Sequence, residues 1–178
     1  MTTTPSRPAR LPRLAVGAAV AVLTVTACAD ASAATAAAGT DAARHRPRLI
    51  AYAGGESPGA EVQNRADARR LSGAPRSFKR YIGNYAVRLN RSSTCTNGYV
   101  GVTVETLRTD GFAVGGVNDC GGYQALWVKP HHRRWREVAG TQEAWDCKVL
   151  KRYDVPSSVV GTTCYDYDAQ QQRHYDQR

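Results

Sequence analysis

Four cysteines in the C-terminal half constrain the fold of this 178-residue chain more than any other feature. They are Cys95, Cys120, Cys147 and Cys164. A zinc site needs thiolates in short pairs such as C-x-x-C, and these four are widely separated. In an exported protein, an even set of this kind indicates two disulfides, for which three pairings are possible. We therefore expect a small, cross-linked domain.

The N-terminal segment, residues 1–28, has the pattern of an export signal. Arg7, Arg10 and Arg13 precede the apolar run from Leu14 to Val25, and no acidic residue interrupts it. The run is too short to span a bilayer as a mature anchor but is typical of a signal peptide. The protein is therefore predicted to be exported.

The four residues that end this run suggest how the signal is processed. Val25-Thr26-Ala27-Cys28 resembles the bacterial lipobox, in which the cysteine is lipidated and becomes the new N-terminus. Lipidation would anchor the protein to the outer face of the cell membrane. The alternative is ordinary cleavage after Ala31-Ser32-Ala33, which would leave the protein extracellular.

Two further segments have few large apolar residues. Residues 29–75 are rich in Ala, Gly and Arg, and we expect them to form a disordered tether with at most a short helix between Glu61 and Leu71. Residues 169–178 form a polar tail that is expected to fray. A single domain over residues 76–168 remains.

Within this domain the hydrophobic period changes from that of a helix to that of strands. An apolar stripe with helical spacing follows Ser77 and consists of Phe78, Ile82, Tyr85 and Leu89. Alternation then predicts strands over Tyr99–Leu107, Phe112–Asp119, Gln124–Lys129 and Arg134–Ala139. Short helices are predicted after Asp146 and after Pro156. The expected fold class is α+β: an N-terminal helix packed on a four-stranded antiparallel meander, followed by a short, disulfide-closed C-terminal helical segment.

Turn chemistry gives an expected register for this meander. Two-residue loops at Asp110-Gly111 and Gly121-Gly122 would place Val117 opposite Val104 and opposite Leu126. An aliphatic face would then pack on the helix. The other face would be aromatic and mixed, and would carry Tyr99, Leu107, Phe112, Val114, Trp127, Lys129 and Trp135.

The aromatic face has two interpretations. In the first, the C-terminal segment covers it and makes it a second core. In the second, Trp127 and Trp135 form an open ligand platform beside Lys129 and Arg133.

The predicted elements favour one disulfide pairing. Cys147–Cys164 would close the C-terminal helical segment, and Cys95–Cys120 would join the end of the helix to the sheet if Asn97-Gly98 reverses the chain. The run Gly111-Phe112-Ala113, together with residues spread over the rest of the domain, resembles small exported actinobacterial proteins. Those residues are Cys120, Trp127, Trp135, Val138, Gly140, Cys147, Val155, Pro156 and Cys164. The resemblance implies a strand meander followed by a Val-Pro turn, and no activity.

No catalytic motif is visible, so we expect no catalytic residue, no metal and no cofactor. Glu105 and Glu137 would lie about 14 Å apart in the expected register, which is too far for a glycosidase pair. Adjacent His131 and His132 would point in opposite directions.

Charge gives the next functional indication. The net charge is +9, and three of these charges belong to the signal segment. A basic, exported domain favours an anionic cell-envelope polymer or an envelope protein as partner, and its location excludes intracellular nucleic acid. The function expected from the sequence is that of a binding module rather than an enzyme. The alternative is a cell-envelope hydrolase without a recognisable motif.

Overall fold

The structure is a computed structural model that describes residues 46–178 with the exception of His132. The strands are Leu49–Ala51 (β1), Ala60–Val62 (β2), Val100–Arg108 (β3), Phe112–Asp119 (β4), Gly122–Val128 (β5), Arg136–Thr141 (β6), Thr163–Asp166 (β7) and Gln171–His174 (β8). The helices are Arg65–Arg70 (α1), Arg76–Ser92 (α2), Cys147–Arg152 (α3) and Ser157–Val160 (α4). The predicted signal segment, the predicted lipidation site Cys28 and the first part of the predicted tether lie outside the described residues.

The fold is mostly β, which makes the expected α+β class wrong. A six-stranded antiparallel sheet has the order β1-β3-β4-β5-β6, and β2 also pairs with β3. Strands β7 and β8 form a separate two-stranded sheet. The expected four-stranded meander accounts for four of the eight strands among the described residues. The other four, β1, β2, β7 and β8, are too short to show an alternating pattern in the sequence.

The segment expected to be a tether contributes to the sheet from residue 49 onward. β1 pairs with one half of β3 and β2 with the other half. Helix α1 begins at a capping box between Asn64 and Asp67. Its Ala68 is fully buried against α2, where a side chain on Gly83 would collide with it. A few small apolar residues therefore order this segment, because each is completely buried.

Helix α2 covers one face of the sheet. Phe78, Ile82 and Ala86 are fully buried against residues of β3, β4 and β5. The largest fully buried side chain on this face is Trp127, which has no exposed surface. This face is the main core.

The β4–β5 turn differs from the expected turn, and the register of β5 on β4 differs with it. Asn118 pairs with Gly122 and Val117 with Tyr123, so the turn has three residues rather than two, and Cys120 adopts a positive φ of 56°. The pairing differs from the expected one by an odd number of residues, which turns every side chain of β5 to the opposite face. Trp127 therefore faces α2, and Leu126 faces the C-terminal segment.

The β3–β4 turn also has three residues rather than the expected two, because Arg108 pairs with Phe112, and Val117 lies opposite Val102 rather than Val104. Two bulges make further corrections to the expected faces. One shifts the β3–β4 register between Val104 and Thr106, and the other shifts the β5–β6 register between Leu126 and Trp127. Because a bulge adds one residue, Leu107 joins Val104 on the helix side of the sheet.

The C-terminal segment covers the other face and forms a second core. Leu150, Val155 and Val159 pack against Leu126 and its neighbours. The expected fraying of residues 169–178 is wrong. These residues include β8, and Tyr175 is buried with its hydroxyl donating to the carbonyl of Val155.

Two disulfides join Cys95 to Cys120 and Cys147 to Cys164, with Cα–Cα distances of 5.4 and 5.1 Å. The preferred pairing is thus confirmed. Disulfides of this kind fit an extracellular or otherwise oxidising environment. Within residues 46–131 and 133–178, no helix is long and apolar enough to cross a membrane.

Candidate functional site

A basic groove of about 690 Å³ lies between helix α2 and the loop that joins β5 to β6. Five of its lining residues are cations, none is an acid, and the rest are neutral polar or aromatic. The lining residues are Ser77, Arg80, Tyr81, Asn84, Arg88, Lys129, Arg133, Arg134 and Trp135. We call this feature the basic groove.

One wall of the basic groove is a polar stripe along α2. Arg80, Asn84 and Arg88 follow one another at four-residue intervals, which places them on one side of the helix. The buried stripe of Phe78, Ile82 and Ala86 lies on another side, against the sheet. Packing of α2 on the core therefore leaves the basic stripe directed toward solvent.

The other wall is the β5–β6 loop, which Trp135 holds against α2. The indole N–H of Trp135 donates to the hydroxyl oxygen of Ser77 at 3.2 Å. The ring packs edge-to-face on Phe78 with 4.7 Å between ring centres. Because these contacts fix the end of the loop, Arg133 and Arg134 are placed opposite the helix stripe.

The five cations have no ion-pair partner among the residues that the structure describes. The ion pairs among the described residues involve other basic groups, namely Arg70, Arg108, Lys148 and Arg173. Arg80, Lys129, Arg133 and Arg134 are all exposed, as is Arg88. Repulsion among uncompensated cations raises the free energy of the unliganded site, and an anion would relieve it.

The neutral polar groups of the groove are set to donate hydrogen bonds. Arg65 donates to the side-chain oxygen of Asn84 at 2.6 Å, which leaves the amide N–H groups of Asn84 for a ligand. The oxygen of Ser77 already accepts from Trp135, so its hydroxyl proton remains. Burial raises the pKa of the Tyr81 phenol, and the nearby charge of Glu137 raises it further, so Tyr81 stays protonated.

A cluster of phenols around Glu137 lies next to the groove. Tyr85 donates to one carboxylate oxygen of Glu137 at 2.7 Å, and Tyr123 donates to the other at 3.0 Å. The guanidinium of Arg88 lies over the Tyr85 ring, 5.9 Å from its centre. Burial raises the pKa of Tyr85, and its hydrogen bonds to Tyr123 and Glu137 add to the effect. Both carboxylate oxygens of Glu137 therefore already accept hydrogen bonds from phenols.

The structure separates the four candidate ligand-binding residues. Lys129, Arg133 and Trp135 line the basic groove, whereas Trp127 lies in the core beneath α2. Trp127 is 0% and Trp135 6% exposed, so neither ring offers a face to a ligand. The open aromatic platform is therefore absent. The covering element is also different from the expected one, because α2 rather than the C-terminal segment lies over Trp127.

Sequence reasoning missed the contribution of α2 to the site. The four-residue spacing of Arg80, Asn84 and Arg88 is visible in the sequence, and it is the signal that marks one polar wall. Its position opposite Arg133 and Arg134 is not visible, because it depends on the packing of α2 against the sheet.

The carboxylates and histidines considered from the sequence do not converge. Glu105 accepts from the amide of Gln124 at 2.7 Å, on the opposite side of the sheet from Glu137. His131 is exposed in the β5–β6 loop, and His132 lies outside the described residues. The part of the chain described by the structure has no group of three or more His, Cys, Asp or Glu side chains that could hold a metal ion.

Comparison with family models, with curated proteins and with solved structures gives no match to this chain. The resemblance to small exported actinobacterial proteins stays a prediction. The site must therefore be interpreted from its own chemistry.

Proposed function

We propose that this protein is an exported, disulfide-stabilised binding module that holds an anionic ligand in the basic groove. The observation that carries the proposal is the lining of the groove: five cations without ion-pair partners among the described residues, and no acid. The ligand that such a surface favours carries several oxyanions, such as an anionic polymer of the cell envelope.

Arginine supports this proposal by its geometry as well as by its charge. Four of the five cations are arginines, whose planar guanidinium groups can bind two oxygens of one phosphate or carboxylate. Ser77, Asn84 and Tyr81 add neutral donors beside them. All these groups stabilise a bound anion, and none is a general base at neutral pH, which favours a binding role over the hydrolase alternative.

Neutralising both walls of the basic groove should weaken anion binding. The variant Arg80→Gln/Arg134→Gln removes one cation from each wall, and we expect the dissociation constant for inorganic tripolyphosphate to rise about tenfold to a hundredfold. Isothermal titration calorimetry at low and moderate salt provides the measurement. The fold should be retained, because both side chains are exposed.

The matched control removes the same charge elsewhere. Arg69 and Arg91 are exposed and do not line the groove, so Arg69→Gln/Arg91→Gln should change the dissociation constant by no more than about twofold. Equal weakening by the two double variants would show that only net charge matters and would contradict a specific site.

We also propose that Cys28 carries a lipid anchor, which would hold the module at the outer face of the membrane. Cys28→Ala should move the protein from the membrane fraction to the medium, because two acyl chains are needed for stable anchoring. Fractionation and immunoblotting of a bacterial expression host would measure this. Wild-type protein found in the medium with an N-terminus near Ala34 would support the alternative cleavage site instead.

A further inference from the structure

A second groove, of about 470 Å³, lies on the other side of the β5–β6 loop. Its walls come from the β3–β4 turn, from the end of α3 and from the last residues of the described chain. Lys129 lines both this groove and the basic groove. The two grooves therefore meet at one exposed cation.

The second groove is also cationic. Its acid Asp110 is already paired with Arg108 at 3.0 Å, so this pair contributes no net charge. Among the lining side chains, Lys129, Arg152 and Arg178 then face one further acidic side chain, that of Asp154. The excess is positive, although smaller than in the basic groove.

The ring of Tyr153, which lines the second groove, lies beside one further cation, Arg136. The guanidinium of Arg136 lies 5.5 Å from the centre of the Tyr153 ring, and that of Arg152 lies 5.8 Å from the same centre. Neither arginine has an acidic partner among the ion pairs within the described residues. The Tyr153 ring therefore stabilises both guanidinium groups beside the second groove without cancelling their charge.

We propose that the two grooves form one continuous track, which takes a linear polyanion across the β5–β6 loop at Lys129. The proposal rests on the function proposed above and specifies the ligand class: a chain with an oxyanion on each repeat, too long for one groove. Both tryptophans of the track region are buried, so the track has no exposed indole on which nucleobases could stack. The excess of cationic side chains in both grooves favours recognition of the charged backbone.

The track predicts that affinity depends on ligand length. Wild-type protein should bind inorganic polyphosphate of about 30 phosphates at least tenfold more tightly than tripolyphosphate, when affinity is expressed per phosphate. Continuous contact along both grooves adds ion contacts that the short ligand cannot make. Fluorescence anisotropy with end-labelled chains measures both affinities.

Variants of each groove separate the track from the proposed function. Arg136→Gln/Arg152→Gln should weaken long-chain binding about tenfold, should reduce its salt dependence, and should leave tripolyphosphate binding within about twofold of wild type. Arg80→Gln/Arg134→Gln should weaken both ligands, and Arg69→Gln/Arg91→Gln should weaken neither. Thermal melting of each variant checks that the fold is intact.

Three results would overturn the track. Long-chain binding that is unchanged in Arg136→Gln/Arg152→Gln would overturn it and leave the single basic groove in place. Equal affinity per phosphate for short and long chains would do the same. If Arg80→Gln/Arg134→Gln binds both ligands as wild type does, the proposed function and the track both fail.

A carboxylate polymer of matched length distinguishes the source of the oxyanions. Polygalacturonate that binds with the same dependence on both grooves would support a track for oxyanions in general. A track specific for phosphate should bind polygalacturonate at least tenfold more weakly than polyphosphate while keeping the variant pattern for polyphosphate.

Discussion

Trp127→Ala should destabilise the domain by about 3–5 kcal/mol. Trp127 is the largest fully buried side chain, and it lies between β5 and helix α2 with the Tyr85 ring 6.3 Å from it. Truncation would leave a cavity that the surrounding helix and strands cannot fill without moving. Because small domains have a net stability of only about 5–15 kcal/mol, the loss would remove a large part of it. Urea unfolding followed by circular dichroism gives the measurement.

Trp127→Phe provides the matched control. The indole N–H of Trp127 is buried and has no hydrogen-bond partner among the described residues. Phenylalanine keeps most of the ring and removes this unpartnered donor, so we expect a loss of only about 1 kcal/mol. If Trp127→Ala melted within a few degrees of wild type, α2 would not cover this face as the structure shows.

The position of Trp127 also shows how far the sequence could predict the fold. The alternation of apolar residues was sufficient to predict the strand Phe112–Asp119. The even number of cysteines, in a chain expected to be exported, was sufficient to predict two disulfides. The face on which Trp127 lies depended on a turn. Gly121-Gly122 suggested a two-residue loop, whereas the chain turns through Cys120, which is an unusual residue at positive φ and is fixed by its bond to Cys95. Local turn preference therefore gave the wrong face.

The edge of the sheet formed by β1 and β2 was beyond prediction for a different reason. Strands β1 and β2 have three residues each, and they pair with β3, which is distant in sequence. The low average hydrophobicity of this segment suggested disorder. An average over a segment does not show how completely each side chain packs against the rest of the fold. The segment has few large apolar residues, but Val62 and Leu71 are almost completely buried. Their burial is sufficient to order the segment.

The candidate site was predictable in its parts but not in its assembly. The cations Lys129 and Arg133 were recognised as candidates, and the aromatic residues beside them suggested stacking. In the structure, the indole N–H of Trp135 instead donates to Ser77 and holds the β5–β6 loop against α2. The arginines of α2 therefore form the second wall of the basic groove. Such a role follows from tertiary contacts that no local pattern contains.

Gly115→Ala should destabilise the domain by about 3 kcal/mol or more, because two backbones meet at this position. A Cβ atom on Gly115 would lie 1.9 Å from the carbonyl oxygen of Thr103 in the neighbouring strand. Gly115 pairs with Val104, next to the bulge in β3, where the two strands are held close together. The collision is with backbone rather than with the end of a flexible side chain, so it can be relieved only by separating β3 from β4 in the centre of the sheet.

Gly116→Ala is the control for this prediction, one position along the same strand. Its Cβ would meet nothing closer than 3.7 Å, so an alanine fits without displacement. Alanine also restricts the unfolded chain, and the free energy of unfolding should stay equal or rise by up to about 1 kcal/mol. The melting temperature of Gly115→Ala should fall by about 10 °C or more while that of Gly116→Ala is maintained. Equal behaviour of the two variants would contradict the close contact at the bulge, and with it the register of β3 on β4 at this position.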